Sequence, residues 1–188
     1  MRRALAALAI VACVLGARPA PAERVVEGVA FPERIEAGQV SLDLCSAALL
    51  RWKRIVRAYA AGLYLDDCAA LADPLADVAK RLDLSYLRGF RAGQFADAAD
   101  TILARTFAAQ QLAPLRPRIE RLHAAYRDVA SGDRYALTYR PGVGTELALN
   151  GEPLVSVPGA DFAAAYFAIW LGPRPADERF RDDLLGRR

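Results

Sequence analysis

The chain has 188 residues, with 25 basic and 22 acidic side chains, three cysteines and one histidine. That length carries one domain with a sizeable core, and an apolar share of 54% excludes an intrinsically disordered chain. Three of the arginines lie in the first 22 residues, where there is no acid, so the remainder balances 22 basic against 22 acidic residues and offers no net charge for holding nucleic acid.

Arg2 and Arg3 precede an apolar run from Ala4 to Leu15, and Ala20-Pro21-Ala22 supplies small residues at the spacing of a leader cleavage site. Residues 1–22 read as a signal peptide cut after Ala22, which leaves residues 23–188 as one domain in the periplasm or outside the cell. The run is too short to span a bilayer, so no transmembrane segment is expected in the mature chain. The alternative is a lipoprotein with Ile10-Val11-Ala12-Cys13 as its cleavage box and Cys13 lipidated. Export permits a disulfide between Cys45 and Cys68, and two free thiols fit the sequence as well. Two cysteines and His123 form no recognisable metal set, and no cofactor is expected.

In chain order, Glu23 to Ala37 contains VVEGVAFP, a short edge strand stopped at Pro32. Val40 to Leu50 is a second strand, with Leu42 and Leu44 on one face. Leu50 to Leu65, LRWKRIVRAYAAGLYL, reads as one long, mostly buried strand closed by Asp66-Asp67, with a helix as the competing assignment because of Ala58, Ala60 and Ala61. Asp66 to Ala79 is a short helical connection interrupted at Pro74. Lys80 to Leu87 is a period-two strand in which Leu82, Leu84 and Tyr86 alternate with Arg81, Asp83 and Ser85. Ala92 to Leu112 is the best helix, with Phe95, Ala99, Ile102, Leu103 and Phe107 on one stripe. A second helix spans Arg118 to Ala130 and carries His123, read as a surface or half-buried side chain. Strands follow at Tyr135–Tyr139, Thr145–Leu149 and Leu154–Val157, the last two joined by the hairpin signal Asn150-Gly151. A helix from Ala160 to Leu171, capped by Gly172, and a terminal helix from Asp177 to Leu185 complete the chain. This order predicts an α+β domain with an antiparallel sheet covered on one face by helices.

No assembled active site is legible. Gly142-Val143-Gly144 is a hairpin connection rather than a phosphate loop. The serines lack a nucleophile elbow, and His123 is the one imidazole available to any triad. A helix layer over a sheet can instead enclose an apolar cleft in which a few polar groups orient a ligand. Arg51 and Tyr59 suit the acidic end of an otherwise apolar molecule, and a buried Arg51 would require a carboxylate from ligand or protein.

The succession VAFPERIEAG, LRWKRIVRAYAAGLYL, KRLDLSYLR, the Phe95–Phe107 helix, PGVGTELALNGEPL, VPGADF and IWLG covers Gly28 to Leu185 and resembles the chalcone isomerase-like family, in particular its exported bacterial branch. The resemblance implies an open-faced β-sandwich, with a large antiparallel sheet, a layer of helices and a cleft between them. Plant enzymes of this fold close a chalcone into a flavanone. They use an arginine on the oxyanion, a threonine and a tyrosine that organise a water, and an asparagine and a hydroxyl residue beside the other ring. By motif these positions fall on Arg51, Tyr59, Phe95, Ile102 and Ile169. The arginine remains, one hydroxyl is changed, and three polar positions have become apolar, so flavonoid cyclisation is not expected. The resemblance points to a non-catalytic periplasmic binding protein for a fatty acid or similar hydrophobic carboxylate, held by Arg51 and Tyr59 with Phe95, Ile102 and Ile169 on the walls. The alternatives are an isomerase or intramolecular lyase of unknown substrate, and an interaction protein whose cleft is filled by side chains.

Overall fold

The structure, a computed structural model, describes residues 22–52 and 55–187. The expected leader therefore lies outside the described residues, apart from Ala22. Two strands, β1 (Glu23–Val26) and β2 (Val29–Pro32), form a hairpin. Seven more form one antiparallel meander in sequence order: β3 (Arg34–Ala37), β4 (Val40–Trp52), β5 (Val56–Leu65), β6 (Lys80–Tyr86), β7 (Arg134–Arg140), β8 (Gly144–Leu149) and β9 (Glu152–Val157). Helices α1 (Ala92–Thr106), α2 (Ala109–Leu112), α3 (Arg116–His123), α4 (Ala160–Leu171) and α5 (Glu178–Leu184) form the second layer. The expected α+β fold with a helix-covered antiparallel sheet is the observed one.

Several boundaries differ from the sequence reading. The run Leu50–Leu65 is not one strand but the end of β4 and all of β5, folded back so that Trp52 lies opposite Val56 and Leu50 opposite Tyr59. No Gly, Pro, Asn or Asp marks this turn, so hydrophobic continuity hides it. The segment read as a single edge strand is the β1–β2 hairpin, turned by Glu27 and Gly28 at φ 51° and 81°. The long helix stops at Thr106, because Phe107 is extended (φ −121°, ψ 147°), and α2 restarts after it. The second helix is shorter and earlier than expected, and the Asp66–Ala79 connection contains one short 3-10 segment, Cys68–Ala72. The strands at Tyr135, Thr145 and Leu154 and the α4 helix fall where expected, and the Asn150-Gly151 turn has φ 52° and 84°.

Both faces of the sheet are covered. On one face, α4 is buried almost throughout and packs over Leu63, Leu82, Leu137 and Leu147. On the reverse face, the β1–β2 hairpin drives Phe31 onto the sheet beside Leu42, Leu44 and Tyr64. Gly62 makes this approach possible, since a Cβ there would lie 2.7 Å from Phe31 and 3.1 Å from Leu44. The guanidinium of Arg134 covers the Phe31 ring and donates to the Ala30 carbonyl at 3.0 Å, while Asp83, buried at 3%, holds Arg81 at 2.6 Å.

Two register slips change which residues share a face. Tyr64 pairs with Leu44 and Leu63 with Ser46, so Cys45 is an extra residue in β4. Tyr59 pairs with Leu50 and Arg57 with Arg51, so Ala58 is extra in β5. Such bulges shift the alternation of side chains by one. Before the first slip, Leu42 and Leu44 face the hairpin; after it, Ala48 and Leu50 face the helices. The bulged Cys45 is joined to Cys68 by a disulfide that ties β4 to the 3-10 segment.

Helix α1 is held at its two ends. The Ala92 amide donates to Asp128 at 2.8 Å. At the other end Arg105 donates to the carbonyls of Arg174 and Pro175, and Arg174 donates back to the Arg105 carbonyl at 2.7 Å. Between these points only Ala99 and Leu103 are buried, and Phe95 and Ile102 are half-buried over a space beneath the helix.

Candidate ligand cavity between sheet and helices

The space under α1 is a cavity of about 480 Å³, within the size range of small-molecule sites. Its floor comes from β5, β6 and β7, its roof from α1, and one wall from α4. Each contribution follows from the local pattern. The period-two alternation of β6 sends Leu84 and Tyr86 to the helix side. The three-to-four spacing of α1 points Phe95, Ala99 and Ile102 down. Ile169 and Trp170 close the wall. The lining is predominantly hydrocarbon and aromatic ring.

Four of the five residues singled out from the sequence meet here: Tyr59, Phe95, Ile102 and Ile169 all line the cavity. Arg51 is not among the lining residues. It lies one residue past Leu50, beyond the Ala58 bulge, and its side chain is 46% exposed. It donates to Glu27 at 2.8 Å, and Arg57 donates to the other oxygen of the same carboxylate at 2.7 Å. Arg51 is thus exposed rather than buried, and the carboxylate it meets belongs to the protein, at the tip of the β1–β2 hairpin. The two arginines hold the Glu27 carboxyl below its ordinary pKa, with the Arg57 hydrogen bond as the larger cause.

Hydroxyl groups punctuate the apolar walls. Tyr59 accepts a hydrogen bond from the Trp170 indole at 3.1 Å and meets Tyr86 edge-on, with ring centroids 5.6 Å apart. The Tyr126 and Tyr166 hydroxyls bond each other at 2.8 Å. Tyr135 is satisfied by the backbone of Arg127, donating to its carbonyl and accepting from its amide. Phe95 packs among Tyr86, Tyr126 and Tyr135 at centroid distances of 5.2–5.5 Å. Burial pushes Tyr59, Tyr86 and Tyr126 above the ordinary phenol value, so all three are neutral donors at physiological pH.

The one charged residue among the described lining residues is Arg88. It is solvent-exposed, as is Gln94 beside it in the lining, and together they mark a mouth near the start of α1. The Arg88 guanidinium lies 5.8 Å from the centre of the Phe90 ring. Sequence reasoning passed over Arg88 and Tyr86 although the signal was present: positions 82, 84, 86 and 88 share one parity along KRLDLSYLR.

His123 sits at the end of α3 against Tyr126 and Tyr166, and its Nδ1 is 3.9 Å from Asp100. Burial lowers its pKa, against the raising effect of Asp100. Among the described residues no cluster of His, Cys, Asp and Glu could hold a metal ion, and no helix is long and apolar enough to cross a membrane.

An antiparallel sheet roofed by helices, with an apolar cavity between the layers, defines an α+β sandwich with an interlayer cleft. The chain belongs to the chalcone isomerase-like family, whose family model matches residues 23–186. No curated protein matches the chain in a sequence search. Among solved structures it is similar to the crystal structure of the Arabidopsis thaliana fatty-acid binding protein AtFAP1. The two share 18% sequence identity and a TM-score of 0.67, over 88% of this chain and 97% of that one. At that identity the likeness is one of fold.

Proposed function

We propose that this protein binds a fatty acid or a similar hydrophobic carboxylate in the cleft between sheet and helices, without chemical turnover. The observation that carries the reading is the cavity itself: about 480 Å³ lined by hydrocarbon and aromatic rings, with one cation at its rim. Each methylene transferred from water into such a lining is worth about 0.8 kcal/mol. The fatty-acid binding of the structurally similar AtFAP1 supports the same reading. Burial moves the wall tyrosines further above the ordinary phenol pKa, and so further from neutral pH, which suits hydrogen bonding better than proton transfer.

The site of action we propose is the periplasm or the extracellular space. Two features support this: the leader-like residues 1–22 and the Cys45–Cys68 disulfide, a cross-link that persists in oxidising compartments.

The test begins with mature protein purified from its exported form. Native mass spectrometry should show a bound small molecule, and solvent extraction should identify a hydrophobic acid. After delipidation, a series of saturated acids should bind with affinity rising about fourfold per added methylene until the cavity is full. Protein that purifies empty and binds no member of the series refutes the proposal.

A further inference from the structure

Tyr86 is 3% exposed, lines the cavity, and is surrounded by the rings of Tyr59, Phe90, Phe95 and Tyr135. Each neighbouring hydroxyl makes at least one hydrogen bond: Tyr59 accepts from Trp170, Tyr126 and Tyr166 bond each other, and Tyr135 donates to the Arg127 carbonyl. The Tyr86 hydroxyl has no hydrogen-bond partner among the described residues. That hydroxyl opens onto the cavity, and a plain alkyl chain laid against it would take it out of water without replacing the lost hydrogen bond, at the cost of an unsatisfied donor. An acceptor oxygen on the ligand would remove it. Two residues further along the same chain segment, Arg88 supplies the charge at the mouth and has no carboxylate partner among the described residues.

We infer that the preferred ligand is an oxygenated hydrophobic carboxylate: Arg88 holds the carboxylate at the mouth, and Tyr86 donates to a keto, ether or hydroxyl oxygen further along the chain inside the cavity. This rests on the binding function proposed above and narrows its ligand class. Tyr86, the last residue of β6, and Arg88, in the bend that follows it, both line the cavity from positions two apart in the chain. The two polar groups of the ligand are therefore separated by a short stretch of chain rather than set at opposite ends of a long one. The order also fixes direction. The apolar end enters first, and the charge stays where water still reaches it. Arg51, paired with Glu27 outside the cavity, takes no part.

The experiment is a competition assay on delipidated full-length mature protein with a fluorescent fatty acid as reporter. The competitors are dodecanoic acid, its methyl ester, and keto-dodecanoic acids with the carbonyl walked along the chain. The acid should outcompete its ester by about tenfold, as expected for a charge-assisted contact. One keto isomer should outcompete the plain acid by about fivefold, as expected for one neutral hydrogen bond. Arg88→Gln should erase the first preference alone, and Tyr86→Phe, which keeps the ring, should erase the second alone. Arg51→Gln should leave both unchanged. If dodecanoic acid and every keto isomer bind equally, or if Tyr86→Phe leaves the isomer preference intact, the inference fails while the binding function stands. An acid preference that survives Arg88→Gln also overturns it. If the reporter and all competitors fail to bind, the binding function itself fails. Thermal melting of each variant separates loss of binding from loss of fold.

Discussion

Replacing Ala99 with leucine sets stability and binding against each other. Ala99 is 4% exposed, lies on the underside of α1, and lines the cavity together with Phe95 and Ile102. The substitution adds three carbons to a helix position that tolerates either residue equally. If those carbons enter the cavity they leave water without displacing protein atoms, a gain of at most about 2.4 kcal/mol at 0.8 kcal/mol per carbon. Ordering the leucine side chain removes about 0.5–1 kcal/mol. The net stabilisation is then about 1.5 kcal/mol, which for a domain of this size raises Tm by about 3–6 °C. The same carbons occupy ligand space. Excluding two methylenes of a long-chain acid costs roughly 1.6 kcal/mol, a loss of more than tenfold in affinity, and shifts the optimum chain length downward. Urea unfolding of ligand-free protein reads the first effect, and reporter displacement by a chain-length series reads the second. A variant that is destabilised by more than 1 kcal/mol yet binds as before would show that leucine meets packed atoms rather than open space, and the cavity would lose its standing as a ligand site.

Three further outcomes are expected. The Cys45–Cys68 disulfide closes a loop between residues 23 apart in sequence, so reduction, or a Cys45→Ser/Cys68→Ser double variant, should cost about 3 kcal/mol in urea unfolding; a change below about 1 kcal/mol would show that the reduced chain is already constrained there. Gly62→Ala should destabilise the protein by about 1–3 kcal/mol in the same assay through overpacking, because the new methyl would meet Phe31 at 2.7 Å; an unchanged midpoint would mean that the hairpin yields freely. Lys80 is fully buried, and desolvation lowers its pKa from 10.5 to about 8 although it donates to the Pro74 and Ala76 carbonyls. Between those values the unfolded chain holds a proton that the folded one has released, so stability should rise with pH above 8, by up to about 3 kcal/mol. The tyrosines act in the opposite direction. Burial raises Tyr59, Tyr64 and Tyr86 in the folded state, so the unfolded chain ionises first and stability should fall above pH 10. The resulting maximum near pH 9–10, read by urea midpoints, should flatten on its rising side in Lys80→Met. A wild-type curve that already declines between pH 8 and 9 would refute the assignment.

Where the sequence carries a strong period, the fold follows it. Leu82, Leu84 and Tyr86 alternate to one face, Asn150-Gly151 turns a hairpin, and the aromatic-rich run from Ala160 becomes the most buried helix. The β4–β5 hairpin was hidden because its tip has no turn-forming residue, and the register slips at Cys45 and Ala58 were hidden because a bulge leaves no compositional mark. The second slip bears directly on the site. Strict alternation along one long strand would have kept Arg51 and Tyr59 on a single face; the hairpin and bulge place Tyr59 at the cavity and Arg51 at Glu27. Phe95 and Ile102 were legible from the stripe of α1, whereas Ile169 came from family resemblance. Arg88 needed only the parity of β6 carried two residues past its end.

The attachment of α1 at its two ends bears on time rather than on affinity. The links from Ala92 to Asp128 and from Arg105 to the Arg174 and Pro175 carbonyls are made by the protein to itself, so they do not distinguish an empty cleft from an occupied one. They limit how often the roof lifts. A ligand beneath a helix fastened at its ends, and in the middle by Arg116 to Asp100 at 2.8 Å, leaves at the rate at which these fastenings let go. Residence time can therefore be altered severalfold by loosening a distant hydrogen bond, with the equilibrium constant left where it was, because entry and exit are slowed by the same gate.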